Sequence, residues 1–328
     1  MRKIAYRTEQ YLSDFSSEEG NLKRFSCICK IIESQVSLYR STRDTTVMLI
    51  KKEISLKNEK VISRHLNILQ RLSVIGFVEN GYVLTGEGRA LCAFLKHRPS
   101  PKQKLIEEER VFYFKILFTS KATTDPLLQI MKSIRKEEGN PRYRAIIAFF
   151  ESDLAKAIWN AQTVETHLMS YKKRGLVSTF LRNKFRCLQL WLEQLDLVER
   201  TDNTTRLTAT GKKVIEKTQK YRNTLPEKVY EIASFLVPVS KIKFRFSEHK
   251  NILVKQLREA NMLFRTRSGT LDIQAVNTFI STKFLLEGII LEEDDFYRSL
   301  RNLAKEGIVA SLMLGADGRP ALMTIKAT

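Results

Sequence analysis

The sequence holds only four cysteines, Cys27, Cys29, Cys92 and Cys187, in 328 residues. They are too few and too scattered for a disulfide framework or a four-ligand zinc site, so a reducing cytosol is the expected setting. Histidine is equally scarce: His65, His97, His167 and His249 are the full set, and none stands at metal-ligand spacing from Cys, Asp or Glu. Neither a G-x-x-x-x-G-K-[ST] phosphate loop nor a G-x-S-x-G nucleophile elbow occurs. Asp317 with Lys326 lacks the paired acid that a metal-dependent nuclease would use. The expectation is a protein without catalytic activity, cofactor or metal. Long apolar runs are missing too. No stretch approaches the roughly 18 apolar residues needed to span a bilayer, and Met1-Arg2-Lys3-Ile4-Ala5-Tyr6 lacks a signal-peptide core. A cytoplasmic, nucleoid-associated protein without membrane contact is expected.

Acids are in short supply. Asp+Glu number 36 against Lys+Arg 56, a formal charge of +20, which is far more than solubility needs and points to a polyanionic partner. With 43% hydrophobic and 28% charged residues the composition is globular, excluding disordered and collagen-like classes. The excess is uneven: residues 1–100 carry 17 bases against 10 acids, 101–225 carry 24 against 14, and 226–328 carry 15 against 12. The anion-binding surface is expected in the first two thirds.

Three times a helical pattern runs into a Gly or Asp and then a short β-like run. The copies read Leu69-x2-Leu72-x3-Gly76-Phe77-Val78-Glu79, Gln189-x2-Leu192-x3-Asp196-Leu197-Val198-Glu199 and Leu300-x2-Leu303-x3-Gly307-Ile308-Val309, with identical spacing. In the first two the strand turns at Asn80-Gly81 or Thr201–Thr205 and returns to Leu84-Thr85-x2-Gly88 or Leu207-Thr208-x2-Gly211, where the Thr caps another helix. In the third, residues 310–314, a turn over 315–320 and residues 321–326 form strand, turn and strand. Ahead of the first copy, helices are expected over Phe25–Tyr39, Thr45–Lys52 and Glu59–Ser73. Three helices and a two-stranded wing make a winged helix-turn-helix. Prolines mark linkers at Arg98–Lys102 and Asn223–Pro226. The fold class expected is mainly α with small β-wings (α+β), three winged-helix units joined by helical linkers. The domains are 1–99, a helical connector 100–140, a strongly basic second unit 141–224, and a third unit 225–328. The apolar helix Glu107–Phe118 should pack as core.

The run Val61-Ile62-Ser63-Arg64-His65-Leu66-Asn67-Ile68-Leu69 resembles the recognition-helix signature of ArsR- and MarR-type bacterial winged-helix repressors, which reads roughly V-S-R-H-L-x-x-L. The resemblance covers about residues 22 to 96. It implies a third helix entering the major groove with Ser63, Arg64 and Asn67 on the DNA side, and it carries over no inducer site. The residues agree. Ile62, Leu66, Leu69 and Leu72 form an apolar stripe, leaving Lys60, Ser63, Arg64, Asn67 and Arg71 opposite. Arg reads guanine and Asn reads adenine by paired hydrogen bonds, while Lys60 and Ser63 suit phosphates.

The densest charge is Lys172, Lys173 and Arg174 followed by Arg182, Lys184 and Arg186, with no acid between. Gly175 should end one helix and Ser178 start the next, with Leu181, Leu188, Leu192 and Leu195 inward, which places the basic run on the turn and third helix of unit two. Arg200 and Arg206 flank that unit's wing. In unit three the third helix opens Glu292-Glu293-Asp294-Asp295, acids that would repel phosphates, so residues 225–328 are expected to dock protein or self-associate through surface near Phe296, Leu300 and Leu303. The function expected is non-catalytic binding of double-stranded DNA by tandem winged helices of a prokaryotic protein, in a regulatory, replication, transposition or defence setting. The alternative is a winged-helix scaffold subunit that binds DNA without sequence preference.

Overall fold

The computed structural model describes residues 21–36, 42–54, 56, 58–97, 104–266, 268–315 and 319–326. The expected linker Arg98–Lys102 and the centre of the 315–320 turn lie outside them. The described chain is mainly helical, with sheets of two or three strands, an α+β arrangement.

The first segment holds α1 (Leu22–Val36), α2 (Arg43–Ile54), α3 (Glu59–Arg71), the hairpin β1 (Ile75–Val78) and β2 (Gly81–Leu84), and α4 (Gly86–His97). Asn58 caps α3 by accepting from the Lys60 N–H at 2.9 Å. The expected stripe Ile62, Leu66, Leu69 and Leu72 is buried, and so is His65, whose Nδ1 lies 2.8 Å from the Val61 carbonyl oxygen and whose ring meets Phe25 edge-on. The hairpin turn is Glu79-Asn80, both at positive φ, rather than Asn80-Gly81; Gly81 instead pairs with Val78 in the ladder.

Two helices follow, α5 (Glu107–Thr119) and α6 (Lys121–Lys136). Consecutive residues Val111, Phe112, Tyr113 and Phe114 of α5 are all fully buried, which requires neighbours on every side. α4 and α6 supply two of them. From α1, Lys23 makes a buried ion pair with Glu109 at 3.1 Å and Ser26 bonds Tyr113 at 2.9 Å. The expectation of core packing holds.

The second segment contains α7 (Arg142–Phe150), α8 (Asp153–Trp159), α9 (Ala161–Arg174), α10 (Thr179–Gln194), the hairpin β3 (Val198–Arg200) and β4 (Thr205–Leu207), and α11 (Ala209–Lys220). Gly175 at φ 68° ends α9, and Ser178 Oγ accepts from the Leu181 N–H to start α10, as the sequence predicts. The expected linker Asn223–Pro226 is not open chain. Leu225 is buried, and a 3₁₀ turn leads directly into α12 (Val229–Ala233), which packs against α5 and buries Val229, Tyr230 and Ile232.

The third segment comprises β5 (Ile242–Lys243), α13 (Phe246–Phe264), β6 (Leu271–Asp272), α14 (Ile273–Leu286), β7 (Ile289–Ile290), α15 (Glu293–Lys305), β8 (Val309–Leu314) and β9 (Pro320–Ile325). β6, β9 and β8 form an antiparallel sheet in that order, and β5 pairs with β7 in parallel. α14 is buried on nearly all sides because it packs against α4 and α5 as well as α13 and α15. Phe94 of α4 stacks on Phe279 of α14 at 5.4 Å, and the Glu87 carboxylate, buried on α4, accepts from Thr278 Oγ1 at 2.8 Å and Gln274 Nε2 at 3.1 Å while pairing with Lys115. The first and third segments are therefore joined by a continuous core. Phe296, Leu300 and Leu303, expected near a docking surface, are fully buried within the third segment.

The three helix–hairpin junctions share one backbone device. Ser73, Asp196 and Gly307 adopt positive φ, and the next N–H bonds back to the carbonyl of Leu69, Leu192 or Leu303 at 2.9, 2.9 and 3.0 Å. This fixes the register between copies. Copies two and three coincide as the sequence spacing implies, whereas copy one is displaced by three residues, with Leu69 standing where Leu192 does. Leucines at 66, 69 and 72 allow that slip in the sequence, and only the left-handed residue resolves it. The return strands match closely. Thr85 and Thr208 each bond a Gly N–H, from Gly88 at 3.3 Å and Gly211 at 2.9 Å. A Cβ on those glycines would stand 2.2 Å from the Val74 oxygen or 2.0 Å from the Leu197 oxygen, so no side chain fits.

Candidate nucleic-acid interface

The basic residues of the second segment do not share one face. Along α10, Arg182 and Arg186 lie one turn apart and, with Asn183 between them, line an open cleft of about 420 Å³. The cleft is completed by Arg142, Tyr143 and Ile146 from the start of α7 and by Arg200 at the end of β3. Four arginines from three elements thus line one cleft. Burial, then the charges of Arg186 and Arg200, pushes the Arg142 guanidinium down from its ordinary range, with Glu193 opposing. The Arg142 Nε is enclosed by protein and meets no acceptor.

The cleft is braced from beneath. Arg142 Nη2 donates to Gln189 Oε1 at 3.2 Å, and Gln189 Nε2 donates to Glu193 Oε1 at 2.9 Å and to Thr205 Oγ1 at 3.3 Å. Glu193 Oε1 also accepts from Arg186 at 2.5 Å. The Arg142 N–H donates to the Asn203 carbonyl at 2.9 Å, tying α7 to the β3–β4 turn. One carboxylate therefore stands against the clustered arginines.

Five expected residues of this segment fall elsewhere. Lys184 points to the other side of α10, its Nζ 5.8 Å from the Phe180 ring centre, because two residues along a helix turn a side chain about 200°. Arg206 is exposed but pairs across the hairpin with Glu199, its neighbour in the β3–β4 register. Lys172, Lys173 and Arg174 end α9 and are exposed, outside the cleft.

On α3, Lys60, Arg64, Asn67 and Arg71 follow i, i+4, i+7 and i+11 spacing and form one face, with Ser63 at its edge. Lys60, Asn67 and Arg71 are exposed, Ser63 and Arg64 half-buried. Arg71, at the last turn, borders a cavity of about 300 Å³ shared with Glu87, Lys115, Ser120 and Gln274, so it sits where α3 meets the central helices. The β1–β2 hairpin that follows exposes Phe77, Val78 and Val83 and carries little charge at its tip.

Arg142, Tyr143, Ile146 and Asn183 line the cleft without having been singled out from the sequence. Asn183 sits between two named bases and could have been found from the helical face alone; Arg142 and Tyr143 lie some forty residues upstream, behind Pro141, with no local signal. Among the described residues, no cluster of three or more His, Cys, Asp or Glu could hold a metal ion, and no helix is long and apolar enough to cross a membrane. The chain matches no protein-family model, no curated protein and no solved structure.

Proposed function

We propose that the protein binds double-stranded DNA without catalysis, through winged helix-turn-helix units. In this reading the three helix–hairpin repeats are winged helices over domains 1–99, 141–224 and 225–328, with 100–140 as connector, and α3 and α10 are the third helices presented to the duplex. The observation that carries it is the convergence of Arg142, Arg182, Arg186 and Arg200 on one open cleft with a single carboxylate against them. Like charges held this close cost energy in isolation, and phosphate oxygens remove that cost while releasing counterions. A guanidinium fork also matches phosphate geometry better than ammonium groups would. Lys60, Arg64, Asn67 and Arg71 add a second cationic and amide-bearing face of the size that a major groove admits.

The test is duplex affinity of the full chain, by anisotropy of a labelled mixed-sequence duplex across a salt series. Replacing Arg142, Arg182 and Arg200 together by Ala should lower the slope of log K against log salt by up to about 3. Absence of duplex binding by the wild-type chain at low salt would overturn the reading. A scaffold role without sequence preference is the second reading, favoured by the apolar exposure of Phe77, Val78 and Val83 where a minor-groove wing would carry cations. Recovery of a defined motif from random duplexes decides against it.

A further inference from the structure

Counted back from its left-handed residue, α15 carries basic residues at the last three face positions of α3, while Lys60 of α3 corresponds to Asp294. Arg64, Asn67 and Arg71 stand nine, six and two residues before Ser73; Arg298, Arg301 and Lys305 stand nine, six and two residues before Gly307. All three residues on α15 are exposed. The corresponding positions on α10 are Cys187, Leu190 and Gln194. The first is buried, and the last is spent inside the chain, accepting from the Leu22 N–H at 2.8 Å and donating to Asn21 Oδ1 at 3.1 Å. α15, not α10, therefore shares the layout of α3.

Three of the four acids that open α15 are engaged within the protein, and Asp294 alone of the run is exposed. Glu292 is turned inward, its carboxylate accepting from the Glu231 N–H at 3.0 Å beneath α12. Glu293 pairs with Arg319 at 3.6 Å, and Asp295 with Arg298 at 3.5 Å. Surface pairs of this kind are weak, and both arginines can exchange a carboxylate for a phosphate. The Glu293 contact also holds the start of β9 beside the helix. Arg319 and Pro320 close a cleft of about 210 Å³ over Asp294, Tyr297, Arg298 and Arg301.

We propose that α15 and the β8–β9 hairpin form a third contact with duplex DNA, made by Arg298, Arg301 and Lys305 on the helix and Arg319 on the hairpin. The proposal rests on the reading of the chain as a duplex binder and extends it to the segment whose acidic run argues against it. Arg301, in the middle of the exposed face, has the fork geometry to read a guanine edge; Arg298, Lys305 and Arg319 suit phosphates. Because α14 packs on α4 and α5, this contact belongs to the same continuous core as α3.

The experiment compares the full-length chain with Arg298→Ala/Arg301→Ala/Lys305→Ala and with Arg142→Ala/Arg182→Ala/Arg200→Ala, on a duplex long enough to meet every segment, across a salt series. The α15 variant is expected to reduce the salt slope by roughly 2 to 3 and to weaken duplex affinity at least about tenfold at physiological salt. Arg301→Glu alone repeats the comparison at a single exposed position if the triple variant melts early. An α15 variant that binds duplex like wild type, while the Arg142 variant is weakened, overturns this proposal and leaves the wider reading intact. A loss confined to single-stranded RNA or to an acidic protein overturns it as well. If the wild-type chain binds no duplex, the wider reading falls, and this proposal with it.

Discussion

Arg142 on α7 reaches Gln189 on α10 through a 3.2 Å hydrogen bond, and the same Gln189 amide donates to Glu193 and Thr205. Gln189 is fully buried, so it positions the arginine cleft without touching anything bound there. Gln189→Leu should keep every cation but lose their alignment. Duplex affinity is expected to fall several-fold with the salt slope unchanged, because the number of phosphates neutralised stays the same. Salt titration of the variant checks this, and a reduced slope would show that Gln189 controls how many arginines engage. Its melting temperature should fall too, since Thr205 and Glu193 each lose a partner.

Lys23 and Glu109 tie α1 to the central helix α5 with almost no solvent access, their side chains being 8% and 0% exposed. Glu109→Ala leaves a buried ammonium unpaired and should cost about 3–5 kcal/mol in urea denaturation. Lys23→Met combined with Glu109→Leu should recover most of that loss, because removing both charges also removes their desolvation cost. A double variant no more stable than Glu109→Ala would mean that the pair fixes the seating of α1 in a way apolar packing cannot replace.

Glu292 gives a pH dependence with a defined sign. Burial is the main cause raising its carboxyl from an ordinary 4.5 to about 7; Lys228 and the Glu231 N–H oppose the rise, and the Glu231 and Asp295 carboxylates reinforce it. Between those values the folded chain holds a proton that the unfolded chain has lost, so this group's contribution to stability declines as pH rises from about 4.5 through 7 and is level above that. Glu292→Gln keeps an oxygen for the Glu231 N–H and removes the titration. It should be more stable than wild type at pH 8, by up to about 3 kcal/mol, and nearly equal to it at pH 4. Parallel melting curves for the two proteins across this range would refute the assignment.

Wherever the controlling chemistry is local, the sequence by itself determined the outcome. Asn58, Ser178 and Thr208 cap helices because their side chains reach an N–H two or three residues on, and Gly175 ends α9 because it tolerates positive φ. The stripe on α3 and the inward leucines of α10 follow from side-chain period, and the burial of α5 from its apolar composition. Tertiary structure decided the rest. Leucines three residues apart let the first repeat slide by a full helical step, and the backbone bond from Val74 to Leu69 fixes it. Lys184 follows Arg182 in sequence yet turns away from it, while Arg142 and Arg200, on different elements, come to its side. The acids that open α15 read as one patch in sequence, but in the structure Glu292 folds under α12 and Arg319 reaches Glu293, leaving Asp294 exposed. Phe296, Leu300 and Leu303, expected beside a docking surface, are likewise taken up by the core of their own segment. Capping and periodicity act over a few residues and are written in the chain locally, whereas charge convergence and face burial depend on which distant segments the packed core brings together.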